Sequence, residues 1–359
     1  MANEKIDILV VGCGNMGTSH ARAYNKMDEF NIVGLVSRGS ESRERLAKEL
    51  GGDIPTFGDY EEALKETQPD AVCISTYPGT HAEYSIKALE AGAHVFVEKP
   101  LAETVEDAEA VVAAAEKANK KLVVGYICRV HPGWLRFIDE ARQLGKPLVM
   151  RMNLNQQSAG KAWQTHKNLM DYMSPIVDCG VHYVDVMTLM TQANPVKVHA
   201  IGAKLSEDLN DGMYNYGQLQ VTFDDGSIGW YEAGWGPMMS ETAYFVKDVI
   251  GPKGSVSISK NTYGKPRGTS AIIEEHGTVG KLHVHPGELD ENGELAKEDE
   301  IIEIKDPSHD ELCYREQEFF LDAIQNDVDL SDHLRDVVYS LKIVLASDES
   351  FRTGEIVEL

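Results

Sequence analysis

The residues with most chemistry to offer fall in three short stretches. Lys99 stands before a proline, in Val97-Glu98-Lys99-Pro100. Asp178, His182 and Asp185 are spaced at i, i+4 and i+7, so a helix would place all three on one face. Gly12, Gly14 and Gly17 stand in a G-x-G-x-x-G spacing. A lysine near an alcohol oxygen can stabilise developing alkoxide charge or relay a proton. A histidine flanked by carboxylates can be oriented and tuned to take a proton near neutral pH. Glycines at that spacing let a pyrophosphate approach bare backbone at the positive end of a helix. Each group also has a plain reading: a surface lysine, a helix cap beside an interior histidine, an ordinary βα turn. Asp and His can bind metal too, but no cysteine or histidine cluster accompanies the pair, so no metal is expected.

These groups need elements to hold them. Ile6–Val11 reads as a buried strand that breaks into the glycine turn, and the chain after Gly17 reads as a helix. Strand, glycine turn and helix start together make a dinucleotide phosphate site, which the glycines alone would not. Further strands are expected at Ile32–Val36, Ala71–Ser75, His94–Glu98 and Leu122–Gly125. Helices are expected at Ser40–Leu50, Tyr60–Glu66, His81–Glu90 and Glu103–Asn119, with a turn at Tyr77–Thr80. Alternating βα units with apolar strands predict a doubly wound parallel sheet covered by helices. Ligands in such a sheet bind beyond the carboxyl ends of the strands, so Ser75–His81 and Val97–Pro100 should flank a nicotinamide. The second strand ends in Val36-Ser37-Arg38-Gly39-Ser40, with no carboxylate for a ribose 2′-hydroxyl. Ser37 and Arg38 suit a 2′-phosphate, which favours NADP slightly over NAD.

The second half reads differently. A helix is expected at His131–Leu144, a strand at Leu148–Leu154, an irregular polar stretch at Asn155–Met173 and a helix at Asp178–Met190. Trp163, Gln164, His166 and Lys167 in the irregular stretch could touch a sugar, or be ordinary loop residues. Strands follow at Val196–Lys204, Tyr214–Phe223, Ser227–Gly234, Tyr244–Ile250 and Ser255–Ser259, separated by turns such as Phe223–Ser227. This is antiparallel sheet. A helix layer should cover one face, which leaves the other for a partner subunit. His283-x-His285 before the acidic run Glu288–Glu300 reads as loop rather than metal site, for want of a third ligand. Two closing helices carry apolar stripes, Leu312, Phe319, Phe320, Ala323 and Ile324, then Leu334, Val337, Val338, Leu341 and Val344.

Bulk properties narrow the class. A chain of 359 residues is long for one core. Asp and Glu number 58 against 34 Lys and Arg, a net charge of -24 that repels nucleic acid and anionic membranes. Five scattered cysteines without C-x-x-C spacing suit reduced thiols and a cytoplasmic setting. The N-terminal apolar run reads as a strand, not a signal peptide, and no run approaches the roughly 20 residues of a membrane span.

Over nearly its whole length the sequence resembles the glucose–fructose oxidoreductase, inositol dehydrogenase and rhizopine-catabolism family, Gfo/Idh/MocA. The resemblance rests on GCGNMG, THAEYSIKALEAGAHVFVEKPLA, GYICRVHP and DCGVHYVD. It implies a Rossmann domain over residues 1–126 and an α+β domain over 127–359, whose large, open, mainly antiparallel sheet serves substrate binding and oligomerisation as a homodimer or homotetramer. It implies that Gly12, Gly14, Asn15, Met16 and Gly17 hold the pyrophosphate. Ser37 and Arg38 face the ribose, and Thr76, Pro78, His81, Glu98, Lys99 and Arg129 line the cofactor. Lys99 would sit beside the nicotinamide and the reacting carbon, with Asp178 and His182 completing the site and His182 as base. Lys99, Trp163, Asp178 and His182 would then meet the substrate, a sugar, sugar derivative or cyclic polyol. The implied activity is hydride transfer between NAD(P) and a secondary hydroxyl or carbonyl. Two alternatives share the motifs: an NAD-dependent glycosidase working by transient oxidation and elimination, and a non-catalytic cofactor-binding regulator.

Overall fold

The structure is a computed structural model that describes residues 5–240, 246–259 and 277–359. The chain forms two compact units. One comprises Met1–Val130 and Ser308–Val338; the other comprises His131–Pro307 and Tyr339–Leu359. The expected halves, 1–126 and 127–359, are each continuous, whereas each compact unit is assembled from two stretches of chain.

The first unit begins β1 (Ile6–Val11), α1 (Asn15–Lys26), β2 (Phe30–Val36), α2 (Ser40–Leu50), β3 (Thr56–Phe57) and α3 (Tyr60–Thr67). It continues β4 (Ala71–Ile74), α4 (His81–Glu90), β5 (His94–Glu98), α5 (Val105–Ala118) and β6 (Leu122–Gly125). The six strands run parallel in the order β3-β2-β1-β4-β5-β6. Their centres are apolar throughout because helices cover both faces: Ile8, Leu9, Val10, Val72, Cys73, Val95 and Phe96 are all fully buried. The helix His309–Gln325 packs on α1 and buries Leu312 and Phe320. That apolar stripe carries a late stretch of sequence into the first unit.

The second unit holds α6 (Pro132–Gln143), β7 (Val149–Gln157), α7 (Gly160–Leu169), α8 (Pro175–Thr191), β8 (Pro195–Ala203), β9 (Tyr216–Phe223) and β10 (Ile228–Gly236). After these come β11 (Lys247–Gly251), β12 (Gly254–Ile258), β13 (Lys281–Pro286), β14 (Glu300–Glu303) and β15 (Val357–Glu358). A long helix, Ser331–Thr353, precedes β15. The nine strands lie in the order β14-β13-β12-β11-β7-β10-β9-β8-β15. The sheet is antiparallel except where β7 and β10 run parallel. Met150, Met152, Tyr231, Ala233 and Val249 form its buried face, against which α8 packs. Ile201, Ile228, Ile250 and Ile301 are exposed, and the strand registers place all four on the opposite face.

Two expectations need correction. Asn155–Met173 is not irregular: β7 runs on to Gln157 and α7 follows. His283 and His285 lie on β13, paired to β12 and β14, not in a loop. The expected strand from Tyr244 begins outside the described residues; its described part is β11.

Candidate functional site

The β1–α1 turn is shaped by what its glycines lack. Gly12 has φ +101°, a conformation side chains rarely adopt, and a Cβ there would lie 2.2 Å from Ser75 O. A Cβ at Gly17 would lie 1.8 Å from Gly12 O. At Gly14 such an atom would meet nothing within 4 Å. The outer glycines therefore let the chain close on itself, and the middle one faces open space. Gly14 is the N-cap of α1; no side chain caps it and the first turn holds no acid. Its N–H groups are available to an anion, and Asn15 and Met16 begin that turn. β1 and β4 are neighbours where strand order reverses, which is where doubly wound sheets bind ligands. The arrangement fits a dinucleotide pyrophosphate.

At the end of β2, Ser37 Oγ lies 3.0 Å from Ser42 Oγ. Arg43 donates to Ser37 O at 2.6 Å, which braces the loop, and Arg38 is exposed. At the ends of β4 and β5 the loops are tied together from below. Thr76 Oγ1 lies 2.7 Å from Thr80 Oγ1 across the turn that contains Pro78. His81 places Nδ1 2.7 Å from Pro100 O and Nε2 3.1 Å from Thr76 O. It is 1% exposed, and burial pushes its pKa down, so it joins the two loops rather than presenting a surface. Lys99 is half-buried between buried Glu98 and buried Pro100. Glu98 Oε1 lies 2.7 Å from His20 Nε2, and its Oε2 accepts from Lys99 N at 3.3 Å. Arg129 lies over the Tyr126 ring, with Nη1 3.1 Å from His333 Nδ1 and Nη2 3.7 Å from Asp336. Glu98, His81 and Arg129 thus direct polar atoms at protein groups. His20, Gln317 and His333 were not anticipated. His20 and Tyr24 stand four apart on the buried face of α1, and that pair of polar residues is the signal that could have flagged them.

In the second unit the candidate side chains sit on α8. Its sequence, PIVDCGVHYVDVMTLMT, is apolar nearly all round and is buried accordingly. Between residues 173 and 191 only Asp178, His182 and Leu189 keep partial access. Ser174 caps the helix by accepting from Val177 N at 3.2 Å, so Asp178 is not the cap. Asp185, the third residue of the expected face, is fully buried. Gly180 lets α8 lie close on β10, since a Cβ there would come 2.9 Å from the Tyr231 ring. Tyr183 stacks on Tyr231 at 4.9 Å, and the buried ammonium of Lys247 lies 5.0 Å from the centre of the Tyr183 ring. A buried lysine below α8 had no sequence signal.

α7 sorts the other candidates. His166 stacks on Trp235 at 4.4 Å and lies 2.9 Å from Ser158 Oγ. Burial pushes its pKa down to about 4, against the charge of Asp178, so it is a core histidine rather than a sugar contact. Trp163 is half-buried against Met170, Cys179, Leu209 and Trp235. Gln164 and Lys167 line a polar cavity of about 210 Å³ with Asp171, Asp208 and Asn210.

Comparison with known proteins gives the arrangement its context. A family model described as an oxidoreductase family with an NAD-binding Rossmann fold matches residues 6–126, and the GFO/IDH/MocA C-terminal domain matches residues 135–257. A scyllo-inositol 2-dehydrogenase (NAD(+)) of Bacillus subtilis is 28% identical over 98% of this chain and 95% of its own length. An inositol 2-dehydrogenase of Klebsiella pneumoniae is 30% identical over 50% of this chain and 52% of its own. The crystal structure of scyllo-inositol dehydrogenase from Lactobacillus casei, with bound NAD(H) and scyllo-inositol, superposes with a TM-score of 0.76. It covers 99% of both chains at 23% identity, which speaks to fold. Matched by both domain models in tandem, the chain belongs to the Gfo/Idh/MocA oxidoreductase family and is a nicotinamide-dependent dehydrogenase acting on CH–OH groups.

Proposed function

We propose that the chain interconverts a secondary hydroxyl and a carbonyl on a cyclic polyol of the inositol type, with sugars as the next class. The observation that carries this reading is the whole-length similarity to a scyllo-inositol dehydrogenase, joined to a buried helix that leaves Asp178 and His182 accessible. When bound, the nicotinamide supplies the hydride acceptor or donor. The chain's own residues do the rest. The glycine turn and the α1 N-terminus hold the pyrophosphate. Asp178 orients His182, and His182 takes the hydroxyl proton in the oxidation direction. Lys99 polarises the reacting oxygen and stabilises its developing charge. Trp163 offers an apolar wall to a ring.

NADP acceptance alongside NAD is part of the proposal. It is supported by the absence of a carboxylate in Val36-Ser37-Arg38 and by the exposed Arg38. Self-association through the open sheet face is supported by its exposed isoleucines, Ile201, Ile228, Ile250 and Ile301. A monomer in sedimentation at micromolar concentration would overturn it. The decisive experiment is a panel of inositols and sugars with NAD and with NADP, following the reduced nicotinamide by absorbance. Turnover on an inositol with at least one cofactor is expected. Activity confined to acyclic alcohols, or sugar release without net reduction, would refute the reading.

A further inference from the structure

Behind the end of β5 lies a polar cluster that the proposed chemistry does not use. Tyr24 donates to Gln317 Oε1, Gln317 Nε2 lies 2.9 Å from His20 Nδ1, and His20 Nε2 lies 2.7 Å from Glu98 Oε1. The tyrosine fixes the amide: its carbonyl accepts and its NH2 donates to Nδ1. The imidazole proton is then on Nε2, directed at Glu98, and Glu98 also accepts from Lys99 N. Glu98 is therefore an acceptor at both oxygens and carries the negative charge.

Glu316, from the helix His309–Gln325, is 3% exposed, and no N–H or O–H of the described residues reaches either of its oxygens. A buried carboxyl in that condition demands an explanation. Gly125 shows where it points. An atom built at the missing Cβ of Gly125 would lie 3.4 Å from Glu98 Oε2 and 3.5 Å from Glu316 Oε1. An oxygen of each carboxyl therefore borders the same point beside β6, which puts the two within about 7 Å of each other. Two charges that close cost heavily in a buried setting, and one proton held by the pair relieves that cost.

We propose that Glu316 is held protonated at neutral pH and donates to Glu98, so that a carboxyl–carboxylate pair anchors the strand end that carries Lys99. Glu316 is a positioning residue in this account, and its effect on Lys99 rests on the role proposed above. The titratable and charged groups facing the pair agree. They are His20 and Tyr24 from α1, Cys73 from β4, His81 from α4, Cys313 from Glu316's own helix, Arg129 after β6 and His333 from the long helix. Burial and then the Glu98 charge push the Glu316 pKa well up. Arg129, the one permanent cation among them, is engaged with His333 and Asp336.

A rival occupant of the same place is a metal ion, since ligand atoms of His20, Cys313 and Glu316 lie within 4.8 Å of one another. The hydrogen-bond direction argues against it, because both His20 nitrogens already have partners in Gln317 and Glu98.

The test is infrared spectroscopy of wild type and Glu316→Gln at about pH 8, where ordinary carboxyls are ionised. A protonated-carboxyl C=O band is expected in wild type and absent from the variant. A second arm measures stability against pH. A carboxyl whose folded pKa is raised loses stability as pH climbs above its unfolded value, so wild type should decline relative to Glu316→Gln from about pH 4.5 upward. In a third arm, Glu316→Ala should lower kcat about tenfold with cofactor affinity kept, and Glu316→Gln should restore it. Identical spectra, identical pH slopes or stoichiometric bound metal would each overturn the pair. The first two arms do not involve turnover, so they stand even if the proposed substrate class fails.

Discussion

In the β1–α1 turn the candidate surface is backbone, and side chains are missing where the chain must fold tightly. In α8 the candidate surface is two side chains on a helix that is otherwise almost wholly committed to packing. The first kind of site is fixed by local geometry: Gly12 and Gly17 leave no room for a methyl group, and Gly14 leaves ample room. The second is fixed by tertiary structure. Gly180 sets the depth of α8 on Tyr231, and Ser174 sets where the helix begins. The closed positions of the backbone site, Gly12 and Gly17, should fail by losing fold, and the side-chain site by losing chemistry.

Substitutions can break that contrast. The largest effect is expected at His182: His182→Ala should lower kcat by about 10²–10⁴-fold with cofactor affinity kept. A variant that keeps full turnover on a confirmed substrate would remove the side-chain half of the comparison. Next come the glycines. Gly17→Ala should destabilise the first unit by about 3 kcal/mol or more, because its methyl would meet the Gly12 carbonyl. Gly14→Ala should melt like wild type and weaken only dinucleotide binding, as calorimetry would show. Equal melting of the two variants would mean that the turn relaxes more freely than its geometry implies.

A smaller effect sharpens the packing side. His166 has its pKa pushed down to about 4 by burial, below its unfolded value. The unfolded chain therefore binds the proton first, and stability should fall as pH drops from about 6.5 through 4, by on the order of 3 kcal/mol. His166→Phe should flatten that slope without altering substrate specificity. Smallest is Arg38→Ala. It should cut kcat/KM for NADP by about tenfold and leave NAD nearly unaffected, as a 2′-phosphate contact requires.

The same contrast explains what could be read from residues alone. β1, α2, α4, β5 and β6 begin and end where their apolar runs and terminal glycines place them. The glycine spacing is local and so is visible. The Asp178–His182 pair is visible as a helical period, but that it stands on the accessible side of a buried helix is not. α7 carries no readable signal, because GKAWQTHKNL buries only His166 and has no side-chain cap, so neither stripe nor start signal marks it. β13 was missed because LHVHP is short and half polar, and β3 and β15 are two residues each. The partners of Arg129 lie about 200 positions away in sequence, at His333 and Asp336, beyond any spacing rule.

The split make-up of the first unit bears on how the protein is made. Its sheet is complete by Gly125, yet the helix that covers α1 and supplies Glu316 and Gln317 begins at His309. A nascent chain emerging N-terminus first therefore exposes Tyr24, His20 and an apolar flank of α1 while nearly two hundred further residues are translated. Synthesis should leave the nucleotide-binding portion open to chaperones and proteases until the helix His309–Gln325 leaves the ribosome.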